Sequence, residues 1–173
     1  MRLHNRRAER EIESTKDAFG ELVANRECGE CNACCTHLLV TSPEFSKPAG
    51  ETCEHATVQG CRIYDQRYPV CRQWHCLWRF LGDLPEEARP DRLGVMFMFY
   101  SREKPPNPLM KTYVMSLPIG EPAQVESAES LTAYEAIARQ GYPLWLNSEE
   151  GLELLYPEKA VAEILIDEAH CRN

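Results

Sequence analysis

Cys28-Gly-Glu-Cys31-Asn-Ala-Cys34-Cys35 is the stretch on which the reading of this chain turns. It contains two overlapping C-x-x-C pairs and closes on an adjacent cysteine. A spacer of two residues lets a tight turn aim both sulfurs at one point while backbone amides stay free to hydrogen-bond them, which is what a thiolate-bound metal requires. Gly29 and Asn32 favour such turns. A single C-x-x-C is equally consistent with a redox dithiol, but overlapping pairs followed by further cysteines point to metal.

The further cysteines are Cys53, Cys61, Cys71 and Cys76, the last two framing Cys-Arg-Gln-Trp-His-Cys. The ninth, Cys171, stands alone near the C-terminus and is left out of the site. Eight thiolates exceed what one ion needs. Tetrahedral zinc takes four ligands, so either two four-coordinate sites form, or one forms and the other cysteines sit around it or in the core. A four-iron, four-sulfur cluster also takes four thiolates, so ligand type alone does not separate zinc from iron.

Three competing motifs fail on the letters. Radical S-adenosylmethionine chemistry needs C-x-x-x-C-x-x-C; Cys31 to Cys35 supplies the first interval, but Leu38 occupies the third cysteine's place. A c-type haem needs C-x-x-C-H, and His37 falls three residues after Cys34. Thioredoxin-type exchange wants one C-x-x-C opening a helix in a βαβ setting, and no such alternation precedes this cluster.

Composition supplies the setting. At 173 residues, 43% hydrophobic and 27% charged, the chain suits one globular domain, or a small cysteine-rich module joined to a second layer. Its formal net charge of −8 argues against nucleic acid as a partner, although Arg6, Arg7 and Arg10 and then Arg62, Arg67, Arg72 and Arg79 form local basic clusters. The opening MRLHNRRAEREIESTK has basic residues without a following apolar run, and no stretch approaches the roughly 18 apolar residues of a membrane span. The expectation is a cytoplasmic protein with no membrane partner, in a compartment where disulfides are disfavoured.

Three regions follow along the chain. Residues 1–27 carry Ala8, Ile12, Ala18, Phe19, Leu22 and Val23 near helical spacing and are expected to form an exposed N-terminal helix. Residues 28–81 hold the cysteines, cut into short pieces by Pro43, Pro48, Gly50, Gly60 and Pro69. Residues 82–173 are expected to be an α+β part packed with the module as one domain. In it, VMFMFYS (95–101) and MKTYVMSL (110–117) read as paired strands, with a short helical turn before them at 85–88. Ser130 to Arg139 has helical spacing, PLWLN reads as a further strand, Asn147 or Ser148 is placed to cap a helix through Tyr156, and a last helix spans 157–169. The class is α+β: a small metal-stapled module with short helices, followed by a strand pair and C-terminal helices.

CxxCxxCC, then C-x-I-Y-x-x-R-Y-P-x-C and a cysteine five positions on, resembles the YkgJ-type CxxCxxCC family of zinc- or iron-chelating domains. WHCLWRFLGDLPEEARPDRLGVMF is also similar to members of that group, so the resemblance covers residues 28–100. It implies that Cys28, Cys31, Cys34, Cys35, Cys53, Cys61, Cys71 and Cys76 form the chelating set. Tyr68 stands before Pro69 where the family pattern has arginine, a departure that touches no ligand. The pattern also looks related to the cysteine-rich part of flagellin lysine methylases, which implies an iron–sulfur cluster as an alternative to zinc. Methyl transfer does not carry over, because residues 82–173 lack a Gly-rich strand-to-helix turn for a methyl donor.

Other candidates read more plainly. His55 and His75 flank Cys53 and Cys76 and are able to ligate or support a ligand, but eight thiols already suffice. Trp74, Trp78, Phe80, Tyr64 and Tyr68 read as packing around the site. Asp65, Asp83, Glu86, Glu87 and Asp91 read as a solvated surface with no acid–base pair among them. The functional expectation is a metal-binding protein with a structural, metal-handling or redox role. The alternative is a metalloenzyme with a substrate pocket between the cysteine module and strands 95–117, and a third is an interaction module; the sequence leaves catalysis undecided.

Overall fold

The structure, a computed structural model, describes residues 15–171. Residues 15–19 form helix α1, which stops at Gly20 (φ 78°), so the helical run is shorter than residues 1–27 foretold; residues 1–14 of that expectation lie outside the described part. The chain then crosses to the segment around residue 80: the Val23 amide donates to the Arg79 carbonyl at 2.8 Å. Arg26 fixes this crossing by donating to the carbonyls of Trp78 (2.7 Å), Leu81 (2.9 Å) and Leu84 (2.5 Å), its guanidinium lying 5.0 Å from the centre of the Trp78 ring.

The cysteine region is built from small pieces. Helix α2 (Ala33–His37) is followed by a two-residue antiparallel pair, β1 (Val40–Thr41) with β2 (Ser46–Lys47), and a second pair, β3 (Ala56–Thr57) with β4 (Gly60–Cys61). Helix α3 (Pro69–Gln73) starts on its proline, whose missing N–H is no loss there. Single 3-10 turns at Leu77–Arg79 and Glu86–Ala88 and the short helix α4 (Pro90–Leu93) lead into the sheet.

The sheet is where the sequence pattern acts most directly. β5 (Val95–Ser101) pairs antiparallel with β6 (Thr112–Pro118), Met98 facing Met115. Helix α5 (Ala128–Ala138) crosses over, its start capped by Ser127, which accepts from the Ser130 amide at 3.1 Å. β7 (Leu144–Ser148) then lies parallel to β6, and β8 (Gly151–Tyr156) completes the order β5-β6-β7-β8. Helix α6 (Lys159–Cys171) ends the described chain. The class is α+β.

Residues 148–156 depart from the expected helix. They form the turn and second strand of a hairpin, Ser148 opposite Gly151 and Trp145 opposite Leu154, with Gly151 at φ 122°. Asn-Ser-Glu-Glu-Gly suits a helix start and a tight turn equally well. The open edge of β7 decides between them, because its unpaired amides and carbonyls gain a partner only if the next segment is extended.

Alternation along the strands splits the core into two layers. Val95, Phe97, Phe99, Val114 and Leu144 face α5 (Ala133, Ala136, Ile137) and the turns around Leu77, Trp78, Phe80 and Leu84. Met96, Met98, Tyr113 and Met115 face the opposite way, where Cys31, Cys34 and Cys76 pack with Ala33, Leu38 and Trp74. The cysteine module therefore sits on the methionine face of the sheet.

Candidate metal-binding site

All eight of Cys28, Cys31, Cys34, Cys35, Cys53, Cys61, Cys71 and Cys76 are half-buried free thiols. Cys34 and Cys35 are consecutive on α2. The Cys34 thiol donates to Cys35, which together with burial lifts Cys34 well above the ordinary thiol range. The same bond, aided by the charges of Lys47 and Arg67 and opposed by burial, holds Cys35 at about 7.

The remaining thiols group around these two. Cys34 also feels the negative charge of Cys28 and Cys76. Burial pushes Cys76 up to about 12, and the electrostatic neighbours that add to it are Cys28 and Cys31. Burial likewise raises Cys31 to about 11. On the other side, burial raises Cys71 to about 11, with Cys35, Cys53 and Cys61 as its charged neighbours, and raises Cys61, whose thiol neighbours are Cys35 and Cys53. The charges that each thiol feels point to two sets joined through the Cys34–Cys35 pair: Cys28, Cys31, Cys34 and Cys76; and Cys35, Cys53, Cys61 and Cys71. Backbone contacts tie the second together, the Cys53 amide donating to the Cys35 carbonyl at 2.9 Å and Ala56 pairing with Cys61.

One backbone amide donates to a sulfur: His55 N to Cys53 Sγ at 3.4 Å. The amides of Ala33, Ile63, and Arg79 with Trp78 lie near enough to Cys31, Cys61 and Cys76 to work against the rise that burial imposes on these thiols. Amides so placed stabilise a thiolate and offer little to a neutral thiol packed for its apolar surface, so the donor set fits a soft metal held by sulfur. Among the described residues, no group of three or more Cys, His, Asp or Glu side chains stands in metal-holding geometry.

Cationic and aromatic groups surround the second four. Lys47 is buried, and its Nζ donates to the carbonyls of Thr36 (3.2 Å), Leu38 (2.6 Å) and Pro48 (2.8 Å), closing the C-terminal end of α2. Arg67 donates through Nε to the Tyr64 carbonyl at 2.8 Å, and its guanidinium lies 3.7 Å over the Tyr64 ring. Phe45 stacks on Tyr68 at 4.7 Å. A cavity of about 390 Å³ opens here, lined by Cys28, Cys34, Cys35, Cys53, Cys61 and Cys71 and reaching Met98 and Tyr100 of β5.

The histidines take supporting positions. His55 Nδ1 accepts from Arg62 Nε at 3.3 Å, leaving its ring on the cavity wall. Burial, with Arg79 and Arg67 nearby, lowers His75 to about 4, so its ring is neutral at pH 7; it packs edge-on to Phe80. Trp78 and Phe80 are core residues, and Trp74 lies against the methionine face. Of the carboxylates, Asp83 accepts from Gln140 at 3.3 Å and Glu86 meets Arg92 at 3.5 Å, both away from the thiols. Asp91 does reach the site. Burial works against its charge, but the Arg89 fork (2.7 and 2.8 Å) holds it below the usual carboxylate range, and it accepts from the Cys31 thiol.

Sequence reasoning missed Lys47, which carries no motif signal, and undervalued Arg67 and Asp91. Arg67 was within reach, since it lies inside I-Y-x-x-R-Y-P between two cysteines. No protein-family model, curated protein or solved structure matches this chain. No helix among the described residues is long and apolar enough to cross a membrane.

Proposed function

We propose that this is a cytoplasmic metal-binding protein that chelates zinc or iron through two four-thiolate centres, one from Cys28, Cys31, Cys34 and Cys76 and one from Cys35, Cys53, Cys61 and Cys71. The observation that carries the reading is the gathering of six free thiols, Cys28, Cys34, Cys35, Cys53, Cys61 and Cys71, around one cavity, with the His55 amide donating to the Cys53 sulfur at 3.4 Å. The grouping of the eight thiols into fours supports it, because four sulfurs complete either a tetrahedral zinc site or a four-iron cluster. When bound, zinc supplies a structural cross-link or Lewis acidity, and an iron–sulfur cluster supplies electron transfer.

In this reading each part of the chain has its own task. The Cys28–Cys31 turn, α2 and the turn after Cys76 hold the first four against the sheet. The two short strand pairs and α3 hold the second. Arg67 and Lys47 offset the charge of the second four, and the resemblance to chelating CxxCxxCC domains agrees with the ligand set. Anaerobic purification followed by an optical spectrum and analysis for zinc, iron and labile sulfide tests the proposal. Two zinc ions per chain, or iron with matching sulfide, is the expected result; folded protein free of metal would overturn it.

One observation favours a metalloenzyme as the second reading. The cavity lies between the cysteine module and β5, the place a substrate would occupy beside the second centre.

A further inference from the structure

The wall of the cavity beside β5 carries cations and hydrogen-bond donors but no aspartate or glutamate. Its two cations differ in what they leave free. Lys47 directs its ammonium at three carbonyls, those of Thr36, Leu38 and Pro48, so its donors are used up. Arg67 commits only Nε, to the Tyr64 carbonyl at 2.8 Å, while its guanidinium rests 3.7 Å over the Tyr64 ring. Among the described residues, no side chain or carbonyl accepts from its Nη atoms.

His55 lies on the same wall and adds a donor. Its Nδ1 accepts from Arg62 Nε at 3.3 Å, which leaves the ring proton on Nε2. Other parts of the wall are apolar. Phe45 and Tyr68 stack at 4.7 Å with an angle of 6° between their planes, and Val40, Trp74 and Met98 line the cavity as well. Leu39, also on the wall, is 69% exposed, so the cavity opens to solvent. A guanidinium with its Nη atoms free matches the paired oxygens of a carboxylate. A phosphate or a multiply charged chelator brings more charge than this single free cation offsets, and its desolvation stands against it. A volume of about 390 Å³ suits one small molecule.

We propose that the cavity is a binding site for a small monocarboxylate with an aromatic or branched apolar body. The carboxylate sits on the Arg67 Nη atoms and His55 Nε2, and the body lies among Phe45, Val40, Trp74 and Met98. Binding makes and breaks no covalent bond. The inference does not require the metal. Lys47 and Arg67 match the charge of a divalent ion held by four thiolates, and with the thiols protonated they leave the wall cationic, so a carboxylate is repelled in neither state.

The test is titration calorimetry of the full chain, purified anaerobically, with 3-phenylpropionate, its neutral amide and acetate. The 3-phenylpropionate should saturate one site and bind about tenfold or more tighter than either of the others, since the amide lacks the charge and acetate lacks the body. Proton NMR of the wild-type complex should show contacts from the phenyl ring to the methyl groups of Val40 and Met98, which places the ligand without any substitution. Arg67→Met should remove the preference for acid over amide while the amide still binds, a change of ratio that general loosening of the fold does not produce. If that variant does not fold, the wild-type affinities and contacts decide. No saturable binding, equal affinity for acid and amide, ring contacts confined to residues off this wall, or an acid preference that survives in folded Arg67→Met would overturn the inference. Metal content measured on the same preparation reports separately on the two-centre reading.

Discussion

Gly60 packs directly onto the carbonyl of Gly29: a β-carbon on Gly60 would fall well inside the van der Waals shell of the Gly29 oxygen. Gly60 opens the strand that carries Cys61, and Gly29 lies in the Cys28–Cys31 turn. One backbone contact thus joins the two thiol groups, and Gly60 adopts φ 100°, which L side chains rarely take. Gly60→Ala should cost about 1–3 kcal/mol from backbone strain alone and push the two loops apart. Urea titration of the loaded protein should show the loss, together with reduced metal content; unchanged stability and content would mean that the contact carries no weight.

Lys47 is the second position where one side chain holds local structure. Its three carbonyl partners include Thr36 and Leu38, next to the last turn of α2 that carries Cys34 and Cys35. Lys47→Met keeps the apolar stem but leaves these acceptors without a donor, at a cost of about 1–3 kcal/mol. Chemical denaturation should report this destabilisation, and Lys47→Arg should restore only part of it, since the flat guanidinium does not reproduce the three directions of an ammonium.

Arg26 should prove as important to the other layer. Charge-assisted bonds to the carbonyls of Trp78, Leu81 and Leu84 tie the segment before the first cysteine to the turn after the last, and Arg26→Ala should cost about 1.5–3 kcal/mol. Trp78 fluorescence should change in the folded state, because the guanidinium lies against its ring. A stability equal to wild type would contradict the assigned role.

Metal affinity should rise with pH. Burial holds Cys31 and Cys71 at about 11 and Cys76 at about 12, so these thiols are protonated at neutral pH in the metal-free chain. Forming each thiolate then releases a proton, and the logarithm of the affinity should climb by about one unit per pH unit for each proton released. Competition against a chromophoric chelator between about pH 6 and pH 8 measures that slope. A flat profile would mean that the ligands are already ionised.

The sequence made β5 and α5 easy to read. VMFMFYS, a run of apolar and aromatic residues, became β5, buried on both faces over Val95–Phe99, and Ser130 to Arg139 falls largely in α5, although its buried face is Ser130, Ala133, Ala136 and Ile137 and Leu131 is exposed. Residues 148–156 were misread because their polar start fits two local structures and a distant strand edge chose between them. The candidate thiols were legible from spacing alone. Their spatial arrangement was not, since it depends on which loops the Gly60–Gly29 contact brings together. Lys47 was invisible for a similar reason: three carbonyls select it only after the chain has folded around them.

X-ray absorption at the edge of the bound metal tests the two-centre account most directly, because it counts the atoms around the ion. Four sulfur neighbours at about 2.3 Å with two metal sites per chain, falling to one site when Cys61 and Cys71 are both replaced by alanine and Cys31 and Cys76 are kept, is the predicted result. Nitrogen or oxygen in the coordination sphere of wild-type protein, or both sites vanishing together while the chain stays folded, would contradict it.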